Sequence, residues 1–164
     1  MQTDVKYLGL HLDQRLTWRI HIRMKRRHLN LKLRGMYWLL GRKSKLSLAN
    51  KLLLYKCVLK PVWSYGIQLW GCAKPSHTQI IQRLQSKILQ SITNVPWYFS
   101  NFTLHNDLHV PFVAAEIHRF SHLYHQRLVG HHNALIAAMN TPPTIVRRLK
   151  RPWPTDLFRI AAGD

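Results

Sequence analysis

The chain has 164 residues, of which 25 are Lys or Arg and 6 are Asp or Glu, and 46% are apolar. Its net charge of +19 and isoelectric point near 10.9 exclude a compact fold that lives without an anionic partner, and nucleic acid leads the candidates. The length supports one modest core or two small ones.

In chain order, Val5, Tyr7, Leu8 and Leu10 are β-prone, bracket Gly9 and predict a short hairpin or bent strand. From Thr17 the period turns helical through Ile22, Leu29, Leu33, Met36 and Leu40, with Thr17 as the expected N-cap and Gly41 as the stop. Ser47 is expected to cap a second helix, with Leu48, Leu52, Tyr55 and Leu59 on one stripe, until Pro61 kinks or ends it. A short continuation runs through Trp63 and Leu69. After a turn at 71–75, Ser76 is expected to cap a third helix whose stripe is Ile81, Leu84, Ile88 and Ile92, ending before Pro96. Three amphipathic helices with short connections predict an antiparallel bundle.

Beyond Trp97 a brief helix is expected at 103–108, a longer one through Val113, Ile117, Phe120, Tyr124 and Leu128, and a short one at 133–139. From Thr141 onward, Pro142, Pro143, Pro152 and Pro154 stand among Arg147, Arg148, Lys150 and Arg151, a composition that reads as an unordered tail. Trp63, Trp70, Trp97, Tyr65 and Tyr98 are expected in the core. Cys57 and Cys72 make neither a disulfide framework nor a metal knuckle and are expected as free, buried thiols in a reducing compartment. The sequence has no secretory n-region and h-region, and its apolar stretches are broken by lysines or rich in polar residues, so no membrane span is expected.

Few residues point to chemistry. Two-metal catalysis needs clustered carboxylates, whereas Asp4, Asp13, Asp107, Glu116, Asp156 and Asp164 are scattered. His118, His122 and His125 share one helical face, but no Glu completes an HExxH pattern, and solvated histidines are the expected reading. No phosphate-binding loop or nucleophile elbow occurs. No catalytic and no metal-binding residue is therefore expected.

The basic helix differs. Arg15, Arg19, Arg23, Lys25, Arg26, Arg27, Lys32 and Arg34 are interleaved with Trp18, Tyr37 and Trp38, a pattern suited to tracking phosphates with stacking or wedge groups beside them. A merely solvated face would mix signs and form i,i+4 Glu–Lys pairs; here no acidic residue lies between Asp13 and Asp107.

The stretch VKYLGLHLDQRLTW (5–18) resembles the primer grip, the last palm motif of non-LTR retrotransposon reverse transcriptases. The blocks LNLKLRGMYWLLGRKSKLSLANKLLLYKCVLKPVWSYGIQLWGCA, LQSKILQSITNVPWY, LHNDLHVP and RRLKRPWPTDLF resemble the thumb and closing region of jockey-like elements. The resemblance implies a C-terminal piece of an RNA-directed DNA polymerase, lacking the catalytic palm carboxylates that would hold Mg2+ in the parent, so no cofactor is expected here. It implies a mainly α fold, with a primer-grip-like hairpin at 1–13, a three-helix thumb-like bundle at 14–96, a helical extension at 97–140 and a basic Pro-rich tail at 141–164. The nucleic-acid-binding residues it implies are Lys6, Tyr7, Leu8 and Gly9 on the hairpin, the eight basic residues named above, and Arg42, Lys43 and Lys45. Gly9 would let bare backbone approach the primer.

The implied partners are an RNA–DNA or DNA duplex, an RNA template and the parent's palm and fingers, inside a nuclear or cytoplasmic ribonucleoprotein and not secreted. A co-opted nucleic-acid-binding module without a polymerase role is the alternative; a basic helical protein that binds acidic membranes or ribosomal RNA is a third. Two sites depart from the family, one a single residue and one a helix start. His109 stands where relatives tend to have Gly, and Phe112, Val113, Ala114 and Ala115 replace a helix start with Thr and acidic residues, a change expected to remove a cap worth roughly 1 kcal/mol.

Overall fold

The computed structural model describes residues 4–129, 131–138 and 153–157, which form a mostly helical fold behind an N-terminal hairpin. Strands β1 (Asp4–Tyr7) and β2 (Leu10–Asp13) pair antiparallel, Tyr7 opposite Leu10. Leu8 and Gly9 close the turn, both with positive φ, 46° and 77°, the combination a type I′ hairpin requires. A leucine tolerates this poorly, and here the Tyr65 hydroxyl holds it, donating to the Leu8 carbonyl at 2.7 Å.

Helix α1 (Arg19–Gly35) follows a strained connection in which Leu16 and Trp18 also have positive φ. Asp13 holds it: its carboxylate accepts from the Thr17 amide (3.0 Å), the Thr17 hydroxyl (2.7 Å) and the Trp18 amide (3.1 Å). Burial works against the Asp13 carboxylate, but these bonds outweigh it and keep its pKa below the ordinary value. Thr17 is therefore not the expected N-cap; its hydroxyl is engaged by Asp13, and the cap position falls to Trp18, whose side chain caps nothing. Trp18 itself is buried, edge-on to the buried His21. His21 Nδ1 accepts from the His11 amide at 3.2 Å, tying the hairpin to α1.

The helix expected to reach Gly41 is broken. Gly35 ends α1, Met36 shares its amide between the Lys32 and Leu33 carbonyls, and α2 (Tyr37–Leu40) restarts. Glycine is the weakest non-proline helix former, so the break falls there. Ser47 does cap α3 (Leu48–Leu54), accepting from the Asn50 amide. A π-helical turn, Tyr55–Leu59, then leads into α4 (Lys60–Ser64), widening the helix just ahead of Pro61, which has no amide to donate. Gly66 (φ 68°) brings the chain under the hairpin, where a Cβ would lie 2.7 Å from Leu10.

Helices α5 (Ile67–Trp70) and α6 (Pro75–Thr93) come next. Pro75 starts α6, its fixed φ doing what a cap oxygen at Ser76 was expected to do. The stripe Ile81, Leu84, Ile88 and Ile92 is buried as read. α1 packs on α6 and α4, and α3 on α6. Helices α7 (Asn101–Asp107) and α8 (Val113–Val129) lie against α6, α8 also against α5, and α9 (Ala134–Ala138) follows. One buried cluster runs from Leu10 to Leu157.

Several expectations are corrected. Trp63 and Trp70 are buried, but Trp97 is 87% exposed and Tyr98 and Tyr65 are exposed too, because their segments turn outward at helix ends. Cys57 is exposed and Cys72 half-buried, not buried. Part of the region expected as an unordered tail is ordered: at the short 3-10 turn Pro154–Asp156 the Asp156 carboxylate accepts from the Trp153 amide, and Leu157 is buried, its carbonyl 3.2 Å from His118 Nδ1. The rest of that tail, and Met139 of the last predicted helix, lie outside the described residues.

Helix α8 is not uncapped either. The Gln82 side-chain oxygen, from α6, accepts from the Val113 amide at 2.8 Å. Gln85 donates to the Pro111 carbonyl and the Tyr55 hydroxyl, and buried His105 bonds the Val110 carbonyl at 2.8 Å. His109 adopts φ 48°, a left-handed conformation glycine reaches without strain.

Glu116 of α8 is buried and pairs with Lys60 Nζ (2.7 Å) and Arg119 (2.8 Å). Burial raises its pKa, but the two cations outweigh this and hold it below the usual carboxylate value. Removing one partner of such a buried pair is costly, so Glu116→Gln should destabilise the chain by about 3 kcal/mol in urea unfolding, and Lys60→Met in the same background should recover part of that. His109→Gly should add about 0.5–1 kcal/mol, read as an increase in unfolding midpoint.

Burial, then Lys25 and His11, push His21 down to about 4. The unfolded chain thus binds this proton more tightly. The associated stability is complete above about 6.5 and falls as pH drops toward 4, by at most about 1.4 kcal/mol per pH unit. His21→Gln, which keeps an acceptor for the His11 amide, should flatten that part of the pH–stability curve.

Candidate nucleic-acid interface

The spacing of Arg19, Arg23, Arg26, Arg27 and Arg34 along α1 puts them on one stripe of the helix, flanking the buried face of Ile22 and Leu29. All five are exposed. Arg23, Arg26, Arg27 and Arg34 rim an open groove with Asn30 and Leu31, floored by Ile80 of α6. Among the described residues the ion pairs are Asp4–His11 and Glu116 with Lys60 and Arg119, so no carboxylate neutralises this stripe. Arg15 is exposed on the turn before α1.

Lys25 and Lys32 lie on the other flank of α1. Lys25 Nζ donates to the Val62 carbonyl (2.8 Å) and the Tyr65 carbonyl (3.0 Å) and sits 5.0 Å over the Tyr65 ring. Burial pulls its pKa down to about 8. It is a tether between α1 and the end of α4, which sequence spacing could not separate from its exposed neighbours. Lys32 stands half-exposed in a second groove with His28, Cys57, Val58, Pro61 and Gly9.

On the hairpin, Lys6, Tyr7 and Leu8 are exposed, and Lys6 shares a cleft with Gly9, His11 and His28. Gly9 lies so close to Tyr65 that a Cβ would be 3.3 Å from its ring. The bare backbone there makes room for Tyr65, a packing reason sequence inspection missed. Arg42, Lys43 and Lys45 are exposed on the connection after α2, where Arg42 Nε donates to the Asn94 side-chain oxygen at 2.6 Å. Lys51, read from the sequence only as a break in an apolar stretch, is buried and donates to the Gly41 carbonyl at 3.0 Å.

Among the described residues no three His, Cys, Asp or Glu side chains gather to hold a metal ion. His118 faces Leu157, and His122 pairs with Gln126. Asp4 is taken by His11 and Asp13 by the Thr17–Trp18 turn, so neither fits a divalent cation. No helix of the described residues is long and apolar enough to cross a membrane.

No family model and no solved structure matches the chain. Among curated proteins, it is 47% identical over 155 residues to the "Probable RNA-directed DNA polymerase from transposon X-element" of Drosophila melanogaster, covering 93% of this chain and 17% of that protein. It is 38% identical over 163 residues to the "RNA-directed DNA polymerase from mobile element jockey" of Drosophila funebris, covering 94% of this chain and 18% of the relative. To the "Probable RNA-directed DNA polymerase from transposon BS" of Drosophila melanogaster it is 39% identical over 149 residues. The chain thus spans less than a fifth of the length of the curated relatives it matches. By this similarity the chain is homologous to one segment of the RNA-directed DNA polymerases of jockey-like non-LTR retrotransposons.

Proposed function

We propose that the chain grips the sugar-phosphate backbone of a template–primer duplex, as the thumb-like part of a jockey-like reverse transcriptase. The observation that carries this reading is the arginine groove of α1, Arg23, Arg26, Arg27 and Arg34, exposed and without a carboxylate partner among the described residues. Phosphate contacts fix position without reading bases, which suits an enzyme that copies any template. The hairpin residues Lys6, Tyr7, Leu8 and Gly9 act as the primer grip in this reading. Exposed Val5, Tyr7 and Leu8 form an apolar edge that the parent's palm covers.

Phosphoryl transfer would need carboxylates clustered to hold divalent ions, and Asp4 and Asp13 do not fit that role. Nucleotide incorporation belongs, on this proposal, to segments of the parent other than this one, with the whole acting in an intracellular ribonucleoprotein.

Titrating the chain onto duplex DNA at increasing salt tests the proposal. Each neutralised phosphate adds about 0.9 to the slope of log affinity against log salt. The triple variant Arg23→Ala, Arg26→Ala, Arg27→Ala should lower that slope by about 2 to 3, with no nucleotide incorporation by either protein. An unchanged slope removes α1 from the footprint.

A further inference from the structure

The connection between α2 and α3 carries a second basic feature of different character. Tyr37 and Trp38 are 59% and 73% exposed, although both are large aromatic side chains in a short helix beside the core. They line an open groove of about 630 Å³ with Arg42 and Lys43, closed on the far side by Ser91 and Asn94 of the α6 end.

The groove is built rather than loose. Gly41 permits Tyr37 to lie against the backbone: a Cβ there would be 2.6 Å from the Tyr37 carbonyl and 3.1 Å from its ring. Arg42 is held by Asn94 at 2.6 Å, and the Gly41 carbonyl is anchored by buried Lys51 at 3.0 Å. No acidic residue lies in the segments that form it. Exposed ring faces set among cations are what unpaired bases and their phosphates require. Along a paired duplex the bases are stacked on one another and offer only their edges, so such faces find no partner there.

The other exposed aromatic pair meets only half of this description. Trp97 and Tyr98 are packed edge to face, 5.9 Å apart, and no charged residue occurs between Lys87 and Asp107.

We propose that the groove of Tyr37, Trp38, Arg42 and Lys43 is a single-strand site, stacking unpaired bases on the two rings while the two cations hold the phosphates between them. The proposal rests on the nucleic-acid reading above and adds to it a second mode, distinct from the duplex groove on α1. In a working polymerase it would hold unpaired template or a displaced strand.

The test compares an oligothymidine strand with a blunt DNA duplex by fluorescence anisotropy, using the full chain. Trp38→Ala, at an exposed position that the fold does not depend on, should weaken oligothymidine binding by roughly tenfold, the loss of one stacked base, and change duplex binding by less than about twofold. It should leave the single-strand salt slope intact, whereas Lys43→Ala should lower that slope by about 0.7. Trp97→Ala serves as the exposure-matched control and should change neither. The proposal is overturned if Trp38→Ala leaves oligothymidine binding unchanged, weakens both probes alike, or is matched by Trp97→Ala. A wild-type chain that binds the duplex but ignores oligothymidine removes this site alone; one that binds neither removes the proposed function as well.

Discussion

The fold is organised by a shortage of carboxylates. With 25 cationic residues and 6 acidic ones, a cation drawn into the interior must find another oxygen, since an unpaired buried charge is far too costly. Helix ends supply it. Lys25 is held by the Val62 and Tyr65 carbonyls at the close of α4, and Lys51 by the Gly41 carbonyl after α2. These three carbonyls lie at helix ends, where the dipole is negative. Each such lysine therefore tethers a chain reversal while its hydrogen bonds offset part of its desolvation.

Two of the six acidic residues are spent at junctions. Asp13 holds the turn between hairpin and α1, and Glu116 joins the π-helical region to α8 through Lys60. Among the described residues no ion pair joins a carboxylate to the exposed arginines of α1. Carbonyl-held lysines inside and an unpaired arginine stripe outside are then two results of one composition. The same logic separates side chains of identical charge on one helix: Lys25 is a tether, and Arg23, Arg26, Arg27 and Arg34 remain outward.

Neutral polar groups do the corresponding work on the far side of α6. Gln82, Gln85 and His105 satisfy the backbone of the irregular segment 109–113, which carries a strained His109 and a helix start with no cap of its own. Buried networks of this kind fix one arrangement among many that apolar contacts alone would allow. They tie the start of α8 to α6 and α7.

Periodicity along the chain was enough to determine the helical class, the hairpin, the Ser47 cap, the buried stripe of α6 and the cationic face of α1, because each depends on residues within a turn or two of one another. The exposed arginine stripe of α1 was legible for the same reason: shared faces on a helix follow from spacing. What only the tertiary structure decided involves partners far apart in sequence. Gln82 caps a helix that begins at Val113, Lys25 reaches Val62, and Tyr65 closes on Leu8. Trp18 is buried while Trp97 stands in solvent, though both are tryptophans beside a helix end. Spacing ranks residues by face, but burial and hydrogen bonding depend on which distant segment arrives to cover that face, and a linear pattern does not carry that information.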